Sequence, residues 1–138
     1  MPYYIGRVVD DAQSLVVRSP EAFRKQGIDA RIFQEKELQQ LGLSYVHAKI
    51  AGHTRARYYP GTGQITVKIL AEKGSGRLLG GQIVGKEGAG KRIDVLATAL
   101  QGGMTVEDVI NLDLGYSPPF SPVWDPVAIA ARQVANLV

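Results

Sequence analysis

The chain has 138 residues, of which 45% are hydrophobic and 21% charged, a composition typical of a folded globular domain. The absence of cysteine excludes thiol nucleophiles, dithiol redox centres and cysteine-ligated metals within these residues, and no apolar run approaches the roughly 18 residues of a membrane span. Because the sequence shows neither a membrane span nor a signal peptide, we expect a cytoplasmic protein that does not bind a membrane. The net charge of +3 is spread without a basic block, so we expect no nucleic-acid binding.

The first 33 residues differ in pattern from the rest. Ser19 and Pro20 are typical of a helix N-cap and first helical position, and Gly27 is placed to end that short helix. Apolar and polar residues then alternate from Ile28 to Ile32, which predicts the start of a strand. This strand has no obvious partner nearby in the sequence.

From Leu43 onward the pattern predicts three strands. Residues 45–50 and 64–69 alternate apolar with polar side chains, so each segment is predicted to be a strand with one buried face, and residues 77–84 form the third. Glycine-containing turns at 61–63 and 73–76 precede the second and third strands. The three strands are therefore predicted to form an antiparallel meander.

Three helices are predicted after the strands. Thr105 is the expected cap of the short middle helix, and Asp125 and Pro126 are expected to begin the last one. Helical spacing predicts an apolar stripe on the first helix at Ala89, Ile93, Leu96, Ala97 and Leu100, and an inward face on the last at Val127, Ala130, Ala131, Val134 and Leu137. The predicted fold class is α+β, an antiparallel β-meander with helices packed on one face.

Residues 85–91 have the glycine and lysine spacing of a phosphate-binding loop and lie between a strand and a helix. However, Arg92 stands where such a loop needs a magnesium-binding serine or threonine, and the preceding strand belongs to an antiparallel meander. We therefore interpret this segment as a glycine-rich strand-to-helix turn with Lys86, Lys91 and Arg92 exposed to solvent.

The two histidines, His47 and His53, are not spaced to place two ligands on one face of a strand or helix. No carboxylate pair stands out as an acid-base pair. We expect no metal site, and we interpret His47 as an exposed or rim histidine.

Two segments rich in tyrosine and proline, residues 57–61 and 115–120, place aromatic hydroxyls in short, rigid loops. In one interpretation the rings close the sheet edge and the hydroxyls bond backbone groups. In the other the hydroxyls belong to a functional site. The residues alone leave both open.

Four segments, at 58–61, 84–89, 91–95 and 116–126, follow one another in the order and spacing of a known domain. Residues 34–138 resemble the C-terminal dimerisation domain of pyridine nucleotide-disulfide oxidoreductases, in the branch of coenzyme A-disulfide reductases and related NADH oxidases. Segments at 2–6, 15–21 and 23–25 resemble the part of the FAD domain that follows the redox cysteine.

The resemblance implies FAD, NAD(P)H and coenzyme A in the parent family, whereas none of them is expected in this chain, which has no redox cysteine and no FAD or NADH domain. It implies that Tyr58 and Tyr116 reach into the partner subunit's active site and stabilise or protonate the departing coenzyme A thiolate. It also places Phe23, Arg24 and Lys25 beside the coenzyme A region.

We therefore expect residues 1–33 to be a remnant of the FAD domain, and 34–138 to be the dimerisation domain of a homodimer that is inactive alone. Its two-fold contact would use the apolar helical face with Val123 and Trp124. Two alternatives remain open: a subunit that completes the active site of a full-length paralogous reductase in trans, and a small binder of coenzyme A or an adenine nucleotide. Whether the chain is an enzyme stays open.

Overall fold

Three antiparallel strands in the order β1-β2-β3 form the sheet in the computed structural model, which describes residues 35–138. The strands are β1 (Tyr45–His53), β2 (Gln64–Glu72) and β3 (Leu78–Gly85), and the helices are α1 (Glu35–Gln40), α2 (Ala89–Gln101), α3 (Val106–Ile110) and α4 (Pro126–Ala135). The segment predicted at 1–33, including Phe23, Arg24 and Lys25, lies outside the described residues.

The meander predicted from the sequence is confirmed. Strand β2 pairs with β1 from Gln64 opposite His53 to Glu72 opposite Tyr45, and with β3 from Ile65 opposite Gly85 onward. A bulge interrupts the second ladder between Leu70 and Ala71. The long connection from β1 to β2 thus leaves the sheet at the end where β3 passes into α2.

The main core lies between the sheet and the helices that follow it. The central strand β2 alternates in burial, and its inward side chains Ile65, Val67 and Ile69 are almost fully buried. They pack with buried side chains of α2, α3 and α4, as predicted for helices on one face: Leu96, Ala99, Val106, Val109, Val127, Ala130, Ala131 and Val134. Burial of each valine, leucine or isoleucine side chain in this layer contributes roughly 1.5–3 kcal/mol, so the layer is a major source of stability.

The opposite face of the sheet carries a smaller cluster. Leu38 of α1 is fully buried against Leu70 and Leu79, with Leu43 and Tyr45 at its edge. None of the helices in residues 35–138 is long and apolar enough to cross a membrane.

Two details of the predicted helix faces are wrong. On α2 the buried line runs through Arg92, Leu96 and Ala99, whereas Ala97 is exposed. The reason is that Asp125 neutralises the charge of Arg92 inside the fold. Arg92 therefore occupies an inward position on α2, and the buried line passes through it and away from Ala97. Leu137 is exposed because α4 ends at Ala135 and the chain leaves the helical path.

The predicted caps are confirmed. The Thr105 hydroxyl accepts a hydrogen bond from the Asp108 N–H at 3.1 Å, and the Asp108 carboxylate accepts one from the Thr105 N–H at 2.8 Å. The Thr105 hydroxyl also donates to this carboxylate at 2.8 Å, and the two hydrogen bonds that the carboxylate accepts from Thr105 hold the pKa of Asp108 below its usual value. At the start of α4, Asp125 Oδ1 accepts from the Val127 N–H at 2.9 Å, and Pro126 occupies the first turn.

A close approach between β3 and α2 makes Gly81 sensitive to substitution. A Cβ added at Gly81 would lie 2.6 Å from Leu96 Cδ1 and 3.3 Å from the Lys68 carbonyl oxygen. We expect Gly81→Ala to lower the free energy of unfolding by about 1–3 kcal/mol through overpacking. Urea unfolding at fixed protein concentration measures this change.

Gly90→Ala is the matched control, because a Cβ on this α2 residue meets open space and the alanine favours the helix. In a Leu96→Ala background the cost of Gly81→Ala should shrink, since the clashing methyl group is gone. An equal cost in both backgrounds would contradict the overpacking explanation.

Candidate functional site

Two loops at one end of the sheet bring Tyr58 and Tyr116 together. Residues 54–63 join β1 to β2, and residues 111–125 join α3 to α4. The phenol oxygens of Tyr58 and Tyr116 are 3.4 Å apart, although the residues are 58 positions apart in sequence. Tyr58 is 76% exposed and Tyr116 49%. We call these two residues the tyrosine pair.

Backbone hydrogen bonds hold the two loops against each other. The Ala56 N–H donates to the Pro118 carbonyl at 3.1 Å, which joins the loops directly. Within each loop a tight turn supports the tyrosine: the Tyr59 N–H donates to the Ala56 carbonyl at 2.9 Å, and the Ser121 N–H donates to the Ser117 carbonyl at 2.9 Å. Because prolines fix φ in both loops, the ring positions are restricted before any ligand arrives.

The hydroxyls of the tyrosine pair retain hydrogen-bonding capacity. Their separation of 3.4 Å is longer than the usual 2.7–2.8 Å of a hydroxyl hydrogen bond. Within residues 35–138 each of the two hydroxyls has the other as its hydrogen-bonding neighbour. Tyr59 behaves differently, because it is half-buried and its ring lies 6.0 Å from the Arg55 guanidinium. A hydrogen-bond acceptor that approaches the tyrosine pair from solvent can therefore accept from both phenols.

The neighbouring hydroxyl of Tyr58 raises the pKa of Tyr116 above its ordinary value, chiefly through a hydrogen bond that favours the protonated phenol. Tyr116 is consequently protonated at neutral pH. In chemical terms the pair is a two-point hydrogen-bond donor for an anion, and Tyr116 can also give up a proton to a strong base.

The expectation that Arg92 is exposed to solvent is wrong. Arg92 is only 7% exposed, and its Nε donates to Asp125 Oδ2 at 2.8 Å. Its Nη2 donates to the carbonyls of Thr54 at 3.0 Å and Phe120 at 3.2 Å. Burial is tolerated because the carboxylate and the two carbonyls satisfy the guanidinium. The helical spacing of Arg92 with Leu96 and Ala99 is the sequence signal that pointed to an inward position.

The two lysines of the glycine-rich turn are exposed, as expected. Lys86 and Lys91 lie on the surface, and Lys91 Nζ pairs with Asp94 Oδ2 at 3.2 Å. Such an exposed pair contributes little to stability.

The glycine-rich turn and the sheet do not fit a flavin or nicotinamide dinucleotide. A Cβ at Gly88 would overlap Arg92 Nη1, so the space beside this glycine is filled by the protein's own guanidinium. The strands described between residues 45 and 85 are all antiparallel, whereas a dinucleotide fingerprint needs a parallel βαβ unit. We therefore assign no cofactor-binding residue within 35–138.

The histidine interpretation is consistent with the structure. His47 is exposed on β1, and its Nδ1 lies 3.0 Å from Glu35 Oε1, which also accepts from Lys68 Nζ at 2.9 Å. Within the part of the chain that the structure describes, no group of three or more histidine, aspartate and glutamate side chains is arranged to hold a metal.

An exposed apolar patch lies on the loop that carries Tyr116, toward the start of α4. It consists of Phe120, Val123 and Trp124, and the Trp124 ring stacks on the Arg132 guanidinium with Cζ 3.7 Å from the ring centroid. The stacking fixes the indole on the surface of α4. Sequence analysis singled out Val123 and Trp124, whereas the role of Arg132 in holding the indole was missed.

An antiparallel meander backed by helices, with two loops held together at one end, defines an α+β domain. Residues 33–127 match the family described as the pyridine nucleotide-disulphide oxidoreductase dimerisation domain. The chain belongs to this family.

Curated relatives support the branch predicted from the sequence. The NAD(P)H coenzyme A polysulfide/persulfide reductase of Pyrococcus horikoshii is 38% identical, over 72% of this chain and 24% of the relative. The coenzyme A disulfide reductase of Staphylococcus epidermidis is 39% identical, over 62% of this chain and 19% of the relative. The chain thus spans about a quarter or less of the length of these relatives.

Solved structures confirm the fold. A NAD-dependent persulfide reductase from A. fulgidus has a TM-score of 0.73 and 44% identity, covering 76% of this chain and 20% of that protein. Reduced CoADR-RHD from Bacillus anthracis has a TM-score of 0.75 and 35% identity, covering 77% and 19%.

The contact within the tyrosine pair is testable through the titration of Tyr116. We expect Tyr58→Phe to lower the pKa of Tyr116 toward its ordinary value, because the protonated phenol loses its hydrogen-bonding neighbour. NMR titration of Cζ-labelled tyrosine follows each phenol separately. Tyr59→Phe, in the same loop as Tyr58, is the control and should leave the pKa of Tyr116 unchanged. If Tyr58→Phe also leaves the pKa of Tyr116 unchanged, the two phenols do not interact.

Proposed function

We propose that residues 35–138 are a dimerisation module whose tyrosine pair completes a coenzyme A disulfide or persulfide site on a partner subunit of an FAD- and NAD(P)H-dependent reductase. The observation that carries this proposal is the pair of exposed phenols, 3.4 Å apart on rigid loops, in a domain of a dimerisation family. The names of the relatives supply the substrate class.

The chemistry suits the departure of a thiolate. When a reducing thiolate attacks one sulfur of a coenzyme A disulfide, a new S–S bond forms and the old one breaks, and its electron pair goes to the departing coenzyme A sulfur. Two phenol donors stabilise that charge, and protonated Tyr116 can deliver a proton. The 138 residues contain no cysteine, so the attacking thiolate belongs to other residues than these.

We further propose that two copies of this chain associate through the patch formed by Phe120, Val123 and Trp124. All three side chains are exposed, and they lie on the same loop as Tyr116. Aromatic and arginine side chains are typical anchors of protein interfaces, and the Trp124 indole is already fixed by Arg132. A two-fold contact at this place would bring each tyrosine pair toward the neighbouring subunit.

Light scattering after size exclusion tests the homodimer. We expect the mass of two chains at micromolar concentration, and the mass of one chain for Trp124→Ala, because the variant loses the central aromatic anchor. Leu41→Ala truncates another exposed apolar residue, outside the patch, and should remain dimeric. A monomeric parent protein, or a dimeric Trp124→Ala variant, would rule out this interface.

The role of the tyrosine pair is tested in a mixed dimer. A full-length coenzyme A disulfide reductase whose own equivalent tyrosines are replaced by phenylalanine is coexpressed with this chain, so that only Tyr58 and Tyr116 can supply phenols. We expect this chain to restore activity, and Tyr58→Phe with Tyr116→Phe to restore roughly 100-fold less, the size of a general-acid contribution.

Tyr59→Phe is again the matched control and should restore activity as well as the parent chain. Mass measurement confirms that the mixed dimer forms in every case. If the double phenylalanine variant restores activity equally, or if a mixed dimer forms without any activity, the proposed role of the tyrosine pair is wrong.

A further inference from the structure

One guanidinium contacts both loops that carry the tyrosine pair. Arg92 Nη2 donates to the Thr54 carbonyl at 3.0 Å, four residues before Tyr58, and to the Phe120 carbonyl at 3.2 Å, four residues after Tyr116. Arg92 itself lies in the first turn of α2, which packs on β3. A side chain anchored in the helical layer therefore ties the two loops to the same point.

The guanidinium is also held through Nε by the start of α4. Arg92 Nε donates to Asp125 Oδ2 at 2.8 Å, and the same oxygen accepts from the Ser121 hydroxyl at 3.1 Å. Asp125 Oδ1 is held by the Val127 N–H. The carboxylate cannot rotate without losing the cap of α4, so it fixes the plane of the guanidinium. The plane of the guanidinium in turn determines where the two loop carbonyls lie.

We propose that Arg92 is the positioning residue of the tyrosine pair: its planar fork sets the spacing of the two loops and thereby the distance between the Tyr58 and Tyr116 hydroxyls. The importance of that distance for coenzyme A chemistry rests on the function proposed above. Arg92 touches neither hydroxyl and acts through Thr54, Phe120 and the turns that follow and precede them.

A lysine cannot replace the planar guanidinium of Arg92. Arginine presents five N–H donors in one plane, whereas a lysine ammonium is a single point charge with three donors on a flexible stem. Arg92→Lys keeps the charge beside Asp125 but cannot hold both carbonyls in the same geometry. The hydrogen bond from the Ala56 N–H to the Pro118 carbonyl then remains as the direct link between the loops.

Gly88 provides an independent way to move the guanidinium. Its φ of +69° suits glycine, and a Cβ there would overlap Arg92 Nη1. Gly88→Ala therefore displaces Arg92 while leaving its charge in place. Gly103→Ala is the matched control, because Gly103 has a φ of +65° and a Cβ there meets nothing within 4 Å. Both variants carry the same kind of backbone strain, but only one pushes Arg92.

The test uses the coupling between the two phenols rather than stability. NMR titration of Cζ-labelled tyrosine compares Tyr116 with and without Tyr58→Phe, in the parent chain and in Arg92→Lys, with circular dichroism showing that the chain stays folded. In the parent chain we expect Tyr58→Phe to lower the pKa of Tyr116. In Arg92→Lys we expect the pKa of Tyr116 to be lowered already, so that adding Tyr58→Phe has no further effect.

A residue that only stabilised the fold would leave this coupling intact in the folded chain. Leu96→Ala removes a buried side chain from the same helix and should preserve the coupling despite its lower stability. If Arg92→Lys does not fold, Gly88→Ala should lose the coupling and Gly103→Ala should keep it. Coupling that persists in Arg92→Lys or in Gly88→Ala would overturn the proposal.

The same variants separate this inference from the proposed function. Loss of coupling in Arg92→Lys supports the positioning role whether or not the mixed dimer is active. A mixed dimer that forms but is inactive contradicts the coenzyme A assignment and leaves the positioning role of Arg92 unaffected.

Discussion

The ion pair between Arg92 and Asp125 is the interaction on which the functional end of this domain depends. It lies almost entirely out of solvent, and it joins the first turn of α2 to the N-cap residue of α4. A buried charge without a partner costs about 3–5 kcal/mol, so each residue of the pair requires the other. The remaining donors of the guanidinium bond loop carbonyls, so the same side chain that closes the helical layer also orders the loops above it.

The domain separates stability from chemistry in space. The central strand and the helices on its inward face bury aliphatic side chains, and among the residues whose burial the structure describes, the titratable side chains withdrawn from solvent to this extent are those of the Arg92–Asp125 pair. The phenols lie outside that core, on loops whose backbones are fixed by proline and by hydrogen bonds. Exposed side chains on rigid loops lose little entropy when they bind a ligand, which is the arrangement that a shared site between two subunits requires.

The family assignment and the geometry support each other at one point. The chain belongs to a dimerisation family, and its end loops carry two hydroxyls that face each other and solvent. Phe120, Val123 and Trp124 lie on the same loop as Tyr116, so association and site formation are coupled in the proposed assembly. The glycine-rich turn, which by spacing resembled a phosphate loop, serves instead to make room for Arg92.

The sequence by itself determined the strands, the caps of α3 and α4 and the order of elements from β1 onward, because alternation, proline at a first helical position and a capping threonine act over a few neighbouring residues. It did not predict α1. Through its motifs it also named both tyrosines. Only the tertiary structure decided that Arg92 is buried, that Ala99 rather than Ala97 faces the core, and that the two phenols meet. These outcomes depend on partners such as Asp125, 33 residues from Arg92. Helical spacing places Arg92 in line with Leu96, but only the distant carboxylate and carbonyls make burial of its charge favourable.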